Sequence, residues 1–175
     1  LKAVPTGIEH GTVTAVAGGK SFEITTLRRD VGTFGRHARI AFTDDWREDA
    51  ARRDFTFNAL SCTPEGVLFD YFAGLDDLAA GRVRFVGDAR QRIAEDRLRL
   101  LRFFRFQARY GRTTPDADGL AAATEAAPEL ALLSGERIQA EMLRLLGAPD
   151  PIPVLRLMAE RGVLDHALPA GFGIE

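Results

Sequence analysis

The stretch from Asp88 to Tyr110 contains neither Gly nor Pro, and Gly111 follows it directly. Because Gly and Pro are the usual helix breakers, the stretch predicts one long helix that ends at Gly111. Capped or periodic patterns predict three further helices, at residues 117–126, 134–146 and 150–160. The chain after Gly87 is therefore expected to be all-α.

The residues before Gly87 carry short β-rich runs broken by turns. Residues 12–17 and 21–27 flank Gly18-Gly19, a pattern typical of a β-hairpin. Residues 28–39 lack periodicity and predict a loop, while Thr43-Asp44 predicts the cap of a helix that starts near Trp46. Other short elements are expected as strands at 40–42, 67–72 and 83–86 and as a helical turn at 74–80.

These two patterns together predict an α+β fold with a boundary near Gly87. Residues 1–87 are expected to form a short mixed or antiparallel sheet with helices, and residues 88–175 a helical domain. An apolar fraction of 46% and a charged fraction of 27% are ordinary for globular proteins and exclude a disordered or fibrous chain. The chain begins with Leu in loop-like residues, so we expect it to be a piece of a longer protein.

Cysteine content, hydropathy and charge narrow the functional classes. The single Cys62 excludes an internal disulfide and a multi-cysteine zinc site. No apolar run reaches the length of about 18 residues that a membrane helix needs, and we expect a cytoplasmic protein that does not enter a membrane. The net charge of −2 excludes a global basic field, but eight Arg accompany only three acidic residues between Asp88 and Arg112. This local excess indicates a site for an anionic ligand.

The densest polar cluster is Arg-Arg-Asp-Phe-Thr-Phe-Asn-Ala-Leu at residues 52–60. Arginine can bind a phosphate through two hydrogen bonds, and Asp or Asn can fix the arginine rotamer. The cluster therefore predicts a phosphate-binding site. The alternative is an ordinary group of surface ion pairs beside two core Phe residues.

Arginines recur at three-residue steps in the predicted long helix, at Arg99, Arg102 and Arg105. They form one slanted stripe, with Asp96 one turn earlier on the same side. Because Leu and Phe cover the rest of the helix, it should be largely buried, and buried arginines without anionic partners would be costly. The stripe is expected to line a cleft or meet a ligand, the alternative being a solvated face with salt bridges. Adjacent Asp and Arg side chains also offer acceptors and donors in one plane, as the edge of a base does.

Glu23 lies between Phe22 and Ile24 in a predicted strand. Metal-dependent nucleotidyl transfer uses clustered carboxylates to hold two cations, and no second carboxylate stands two residues from Glu23. A solvent-facing strand residue is the simpler interpretation. The three histidines lack metal-ligand spacing, so no zinc site is predicted.

Three motifs in this order resemble the bacterial class II tRNA nucleotidyltransferases, which are the CCA-adding enzymes, and their poly(A) polymerase relatives. The motifs are residues 52–60, then Leu-Phe-Asp-Tyr-Phe-Ala-Gly-Leu-Asp-Asp-Leu at residues 68–78, then Glu-Asp-x-x-Arg-x-x-Arg-x-x-Arg-Phe at residues 95–106. The resemblance runs from about His10 to Pro169. It implies the C-terminal part of a nucleotidyltransferase head at residues 1–87 and a helical, nucleotide-recognising neck at residues 88–175.

The resemblance also implies roles for individual residues. Arg53 matches an arginine that contacts the incoming triphosphate. Asp96 and Arg99 match the acidic residue and the arginine that template the base of CTP or ATP through its pairing edge. Arg102 and Arg105 match arginines of the same nucleotide pocket. The second motif matches the hinge region between head and neck.

The family's Gly-rich start and its Asp-x-Asp metal ligands are expected upstream of this chain, which therefore has no assigned metal ligand. Glu23 is a candidate for a third active-site carboxylate. The resemblance implies template-independent addition of CMP and AMP to the 3′ end of tRNA, with CTP and ATP as substrates and Mg²⁺ as cofactor. The 175-residue chain alone is expected to be inactive, because the metal ligands and the tRNA-holding body and tail are missing.

Three alternatives stay open. The first is a poly(A) polymerase or a relative that adds only C or only A. The second, in another class, is a non-catalytic module that binds nucleotide or RNA. The third is a purely structural α+β domain, which requires the arginine stripe to be fully solvated.

Overall fold

The computed structural model describes residues 2–8, 11–34 and 37–168, and its contacts divide the chain into two compact units. The first is Leu1–Arg52 and the second is Arg53–Glu175. The domain boundary near Gly87 is predicted from the change in secondary-structure pattern, not from contacts. It stays a prediction. His10 and Pro169, where the family resemblance begins and ends, lie outside the described residues.

The first unit contains two antiparallel β-structures and one short helix. β1, β2 and β3 form a three-stranded sheet in that order, and β4 pairs with β5. The elements are β1 (Lys2–Gly7), β2 (Thr12–Ala17), β3 (Lys20–Thr25), β4 (Arg28–Phe34), β5 (His37–Phe42) and α1 (Trp46–Ala51).

The hairpin predicted across Gly18-Gly19 is confirmed. Thr12 pairs with Thr25 and Ala17 with Lys20, and the two turn glycines have φ values of 56° and 74°. Backbone at such positive φ favours glycine, because it has no Cβ to clash with the carbonyl oxygen. The sequence therefore specifies both the turn and the register of β2 and β3.

The loop predicted at residues 28–39 is wrong. Residues Arg28–Phe34 and His37–Phe42 are strands, paired from Arg28 opposite Phe42 to Phe34 opposite His37. Backbone hydrogen bonds across a hairpin do not require alternating hydrophobicity, so the weak periodicity of this segment concealed it. Helix α1 begins where predicted, but its cap is Asp45, whose Oδ1 accepts from Arg47 N at 2.7 Å.

The second unit is mainly helical. Its strands are β6 (Ser61–Cys62) and β7 (Leu68–Phe69), which pair antiparallel, and 3₁₀ turns cover Thr56–Ala59 and Ala127–Leu132. Its helices are α2 (Gly74–Ala80), α3 (Ala89–Glu95), α4 (Leu98–Tyr110), α5 (Ala117–Glu125), α6 (Gly135–Leu146), α7 (Ile152–Glu160) and α8 (Leu164–Ala167). The α+β class is thus confirmed.

Helix α4 lies at the centre of the hydrophobic core of this unit. Leu100, Phe103 and Phe104 are completely buried, and α4 packs against α5, α6 and α7. A helix that is apolar on most of its circumference needs neighbours on several sides, and the short helices that follow it supply them. The predicted burial of this segment is confirmed.

The single long helix predicted from Asp88 to Tyr110 is wrong, because it breaks after Glu95. Asp96 is extended, with φ −150° and ψ 106°, and α4 starts two residues later. The Asp96 carboxylate accepts from Leu98 N at 3.2 Å, and its carbonyl accepts from Arg99 N at 2.9 Å. A short acidic side chain that binds nearby N–H groups competes with continuous helix, so a break needs neither Gly nor Pro.

The strands predicted at 67–72 and 83–86 are much shorter in the structure. Only Leu68–Phe69 of the first forms a strand, and the second contributes one bridge, from Phe85 to Phe55. Thr56 N donates to Arg84 O and Val86 N donates to Asp54 O, both at 3.0 Å. These bonds hold residues 54–56, the centre of the first motif, against residues 84–86.

Candidate functional site: three motifs that meet at residues 54–56

The first and third motifs meet through an ion pair. Arg102, on α4, donates from Nε and Nη2 to Oδ2 of Asp54, at 2.7 Å and 2.6 Å. The Asp54 side chain is 10% exposed and the Arg102 side chain 29%. The other Asp54 oxygen accepts from Asn58 Nδ2 and from the Phe55 amide, both at 2.9 Å. Asp54 is thus fully engaged and fixes the rotamer of Arg102.

Aromatic rings reinforce the same junction. Phe55 stacks with Phe57 and meets Phe106 of α4 edge to face at 5.2 Å between ring centroids. Phe57 also meets Phe106 edge to face at 5.3 Å. Such pairs add about 0.5–1.5 kcal/mol each beyond the burial of apolar area. Polar and aromatic residues of the first motif therefore both contact α4. Asp54 binds it through an ion pair, and Phe55 and Phe57 bind it through ring contacts.

The second motif meets the first through Asp77, which is 1% exposed. Its Oδ2 accepts from the Thr56 hydroxyl at 2.7 Å and from Arg84 Nε at 2.8 Å. A Cβ added to Gly74 would lie 2.3 Å from the Thr56 carbonyl oxygen, so only glycine allows α2 to approach this closely. Residues 54–56 are consequently the point where all three motifs converge.

Asp70 organises the turn that leads into α2. Its carboxylate accepts from the amides of Phe72, Gly74 and Leu75 at 2.9–3.2 Å. Desolvation acts to raise the pKa of Asp70, but these backbone N–H donors together hold it below its ordinary value. The turn also contains Ala73 at φ 57°, a left-handed conformation that is costly for alanine and that the surrounding hydrogen bonds maintain.

Asp96 and Arg99, the pair assigned to base recognition, lie on either side of the helix break. Asp96 binds Nη2 of Arg137, on α6, with both oxygens at 3.0 Å. Arg99 donates from Nη1 to Glu95 Oε2 at 2.7 Å and to the Arg92 carbonyl at 2.9 Å. The Asp96 side chain is 37% exposed and that of Arg99 16%. The Asp96 side chain is thus partly open to solvent, whereas that of Arg99 is largely covered by the protein.

Arg105 faces a different partner. It donates from Nε to Glu141 of α6 at 2.6 Å, and its guanidinium lies 3.9 Å from the centroid of the Phe106 ring. Glu141 is 1% exposed and also accepts from Arg144 at 2.7 Å. This arrangement joins α4 to α6, and the assignment of Arg105 to a nucleotide pocket stays a prediction.

The arginine stripe has anionic partners within this chain, so the prediction that it needs a ligand to balance its charge is wrong. Its members bind carboxylates of this chain: Glu95 for Arg99, Asp54 for Arg102 and Glu141 for Arg105. Two of these partners are distant in sequence, so the pattern within the helix could not reveal them. Glu141 did leave a signal, because it falls between Ile138 and Met142 on the apolar face of a predicted helix.

The remaining predicted site residues are Arg53 and Glu23. Arg53 is exposed and directly precedes Asp54. Glu23 belongs to the first unit, where it lies on the edge strand β3 opposite Thr14 and is exposed. Its role as an active-site carboxylate stays a prediction.

The described residues hold no large cluster of metal-ligating side chains. Over residues 2–8, 11–34 and 37–168, no group of three or more His, Cys, Asp or Glu side chains is placed to hold one. Mg²⁺ is usually bound through one or two carboxylates together with substrate phosphates, and Glu23 by itself is a weak candidate. Within the same residues, no helix combines the length and the apolar character needed to cross a bilayer.

Comparison with known proteins decides the family. Residues 1–84 match the family described as "Poly A polymerase head domain", and residues 114–172 match "Probable RNA and SrmB-binding site of polymerase A". The chain belongs to the tRNA nucleotidyltransferase and poly(A) polymerase family. The resemblance inferred from the three motifs is confirmed.

Individual members of the family are similar over nearly the whole chain. The mouse mitochondrial CCA tRNA nucleotidyltransferase 1 is 47% identical over 97% of this chain and 40% of its own length. The crystal structure of the Bacillus stearothermophilus CCA-adding enzyme in complex with CTP has a TM-score of 0.88 at 36% identity, covering 99% of this chain and 42% of that one. The Thermotoga maritima CCA-adding enzyme complexed with tRNA(CCA) has a TM-score of 0.79 at 26% identity, covering 99% and 39%. The chain therefore spans about two fifths of the length of these relatives.

Proposed function

We propose that the protein containing this chain is a tRNA nucleotidyltransferase that adds CMP and AMP to the 3′ end of tRNA from CTP and ATP. The observation that carries the proposal is the convergence of the three family motifs on residues 54–56, through the Asp54–Arg102 and Thr56–Asp77 contacts. Relatives whose names state CCA addition support it, as do neighbouring structures whose descriptions name CTP and tRNA.

In this proposal Asp96 and Arg99 read the base. A carboxylate accepts from the exocyclic amino group that C and A share, and a guanidinium donates to ring acceptors beside it. Asp96 is held by Arg137 and Arg99 by Glu95, so contacts within the protein orient both side chains. Such preorganisation reduces the entropy lost on binding.

In the same proposal, Arg53, Arg102 and Arg105 bind the triphosphate. Arg53 is exposed at the start of the first motif, and Arg102 is anchored by Asp54 while keeping 29% of its side chain exposed. Arg105 is assigned to the same pocket by family resemblance, in addition to its bond to Glu141. Guanidinium groups suit this role because they bind phosphate oxygens through paired hydrogen bonds.

The proposal also includes a metal cofactor and a cellular location. We infer that Mg²⁺ assists the reaction and that its principal ligands are outside the described residues, with Glu23 as a candidate additional carboxylate. We also infer a cytoplasmic protein, as expected for a relative of bacterial CCA-adding enzymes, although the similar mouse enzyme is mitochondrial.

Replacement of Asp96 by Ala in the full-length protein tests the proposal. Loss of hydrogen bonds to one base costs about 1–3 kcal/mol, so Asp96→Ala should slow addition and blur the discrimination among CTP, ATP, UTP and GTP. The assay measures incorporation of each labelled nucleotide into tRNA that lacks its CCA end. Asp150→Ala, a change at an exposed Asp, is the matched control. Unchanged proportions of the four nucleotides would exclude the templating role.

The same assay separates the alternatives. Repeated AMP addition to any RNA 3′ end would indicate a poly(A) polymerase, and addition that stops after C or requires CC would indicate a CC-only or A-only enzyme. Binding of tRNA without any incorporation would indicate a non-catalytic module.

A further inference from the structure

The arginines at the C-terminal end of α4 differ from those at its beginning. Arg99, Arg102 and Arg105 each bind a carboxylate. In the part of the chain that the structure describes, no carboxylate binds Arg109 or Arg112, and both are exposed. Positive charge along this helix is therefore neutralised at one end and left uncompensated at the other.

An aromatic ring lies among these uncompensated charges. Tyr110 is 41% exposed, and the guanidinium carbon of Arg109 lies 5.8 Å from its ring centroid. The inner part of the Tyr110 ring is held by Phe106, stacked at 5.9 Å, and by Phe57 at 5.9 Å. The ring is consequently rigid while part of it faces solvent.

Gly81 and Arg82, just after α2, lie beside Arg112. Arg112 N donates to the Gly81 carbonyl at 3.0 Å, and a Cβ on Gly81 would lie 2.7 Å from Cβ and Cγ of Arg112. The absence of a side chain at Gly81 thus lets the stem of Arg112 pack against α2's end. Arg82 follows directly, with its side chain 50% exposed and Nη1 3.4 Å from Oδ1 of Asp77.

The nearby carboxylates do not cancel this charge. Asp77 is shared with Arg84 and is 1% exposed, so it balances only part of the local positive charge. Asp116 uses its Oδ2 to cap α5, accepting from Gly119 N at 2.9 Å. The negative end of the α4 dipole accounts for a cation at Arg109, but it does not account for Arg112 beyond the helix or for Arg82.

We propose that Arg82, Arg109, Tyr110 and Arg112 form a binding surface for the RNA substrate, in which the arginines bind backbone phosphates and Tyr110 contacts a base or ribose. A rigid exposed ring among arginines is the combination that binds RNA strands with little sequence preference. The surface lies about 15 Å along the helix axis from Arg99, so it is separate from the nucleotide-recognising pair. The inference rests on the proposed function for the identity of the RNA.

The test compares binding of tRNA with binding of nucleotide in the full-length protein. The probe is 5′-fluorescein-labelled tRNA that lacks its CCA end, and anisotropy gives Kd between 50 and 200 mM salt. Arg109→Ala/Arg112→Ala should weaken binding about tenfold at low salt and reduce the log–log salt slope by about one to two, because each lost phosphate contact releases roughly one counterion fewer. The affinity for CTP, measured by calorimetry, should stay unchanged.

Lys20→Ala/Arg47→Ala is the matched control, because it removes the same charge from two exposed cations outside the residues that match the RNA-binding family. It should change the Kd for tRNA by less than about twofold. Tyr110→Phe should bind tRNA as the unaltered protein does, while Tyr110→Leu should bind at least about fivefold more weakly.

The outcomes separate this proposal from the proposed function. If the unaltered protein binds no tRNA, the proposed function fails and this surface with it. If it binds tRNA and adds nucleotides, while Arg109→Ala/Arg112→Ala shows the same Kd and slope, only the surface is refuted. An equal loss in the Lys20→Ala/Arg47→Ala control, or a loss of anionic vesicle binding with tRNA binding intact, would also refute it.

Discussion

Asp54 and Arg102 are 48 residues apart in sequence, yet their ion pair joins two of the three motifs. Asp54 is buried and uses both oxygens, while Arg102 keeps an exposed portion. One carboxylate therefore stabilises the fold and also fixes the orientation of the Arg102 guanidinium. At the scale of single residues, these contacts give Asp54 a structural role that an apolar residue between Arg53 and Phe55 would not fill.

Replacement of Asp54 by Ala tests the structural half of this role. It leaves Arg102 without its carboxylate and the Asn58 amide without its acceptor, so the free energy of unfolding should fall by about 3 kcal/mol. Urea denaturation at pH 7 measures the change. The exposed-site variant Asp150→Ala should lose less than about 0.5 kcal/mol. A loss for Asp54→Ala no larger than that would contradict the role.

Asp70 makes stability depend on pH in a definite direction. Its pKa in the folded protein is lowered, so its stabilising contribution is complete above the unfolded pKa of about 3.9 and is lost as the pH falls through the folded value. Asp70→Asn should therefore be less stable than the unaltered protein at pH 7, with the difference shrinking below about pH 4. Denaturation curves across this range provide the measurement. Asp76→Asn, at an exposed position in α2, is the control for loss of one carboxylate charge.

At the scale of elements, α4 is held by charged partners as well as by its apolar face. Glu141 of α6 is buried between Arg105 and the outer Arg144, whose side chain is 63% exposed. A buried ion pair contributes little net stability relative to an apolar replacement of both members, but removal of one member is costly. The Arg105–Glu141 pair is thus expected to fix how α6 lies against α4.

A pair of variants separates the structural role of Arg105 from nucleotide binding. Glu141→Leu leaves Arg105 without its carboxylate and should lower the free energy of unfolding by about 3–5 kcal/mol, while Arg105→Leu/Glu141→Leu should regain most of it. Arg144→Ala should cost less than about 1 kcal/mol. Urea denaturation gives these values. If the stable double variant also loses affinity for CTP, Arg105 contacts the nucleotide; full retention of CTP affinity would assign it to the fold alone.

At the scale of the molecule, the two compact units differ in how much they bury. In the described residues, the hydrophobic core cluster lies entirely within the second unit, whereas every residue of β3 in the first is exposed. The chain also spans about two fifths of the length of its relatives. The residues proposed to recognise the nucleotide are therefore on a well-packed framework, while the metal ligands are expected elsewhere.

The isolated 175-residue chain should consequently add neither CMP nor AMP to tRNA. Two divalent ions need clustered carboxylates, and the described residues contain no such cluster. The assay incubates the purified chain with tRNA lacking CCA, labelled CTP and Mg²⁺, with the full-length protein as the positive control. Robust product from the isolated chain would show that the metal ligands are within these residues.

Local patterns in the sequence determined much of the fold and the family. The Gly18-Gly19 hairpin, the α+β class, the three helices predicted between residues 117 and 160 and the order of the three motifs depend on turn chemistry and periodicity, which act over a few residues. The order of the motifs was enough to identify the family. These features could be predicted because neighbouring residues alone produce them.

The tertiary structure decided what depends on residues far apart in the chain. The hairpin of β4 and β5 follows from pairing between strands, and the break at Asp96 follows from a side chain that competes for backbone N–H groups. The carboxylates that bind Arg102 and Arg105 come from 48 and 36 residues away. Whether an arginine is neutralised depends on which carboxylates folding brings within about 3 Å, and periodicity within one helix contains no information about that distance.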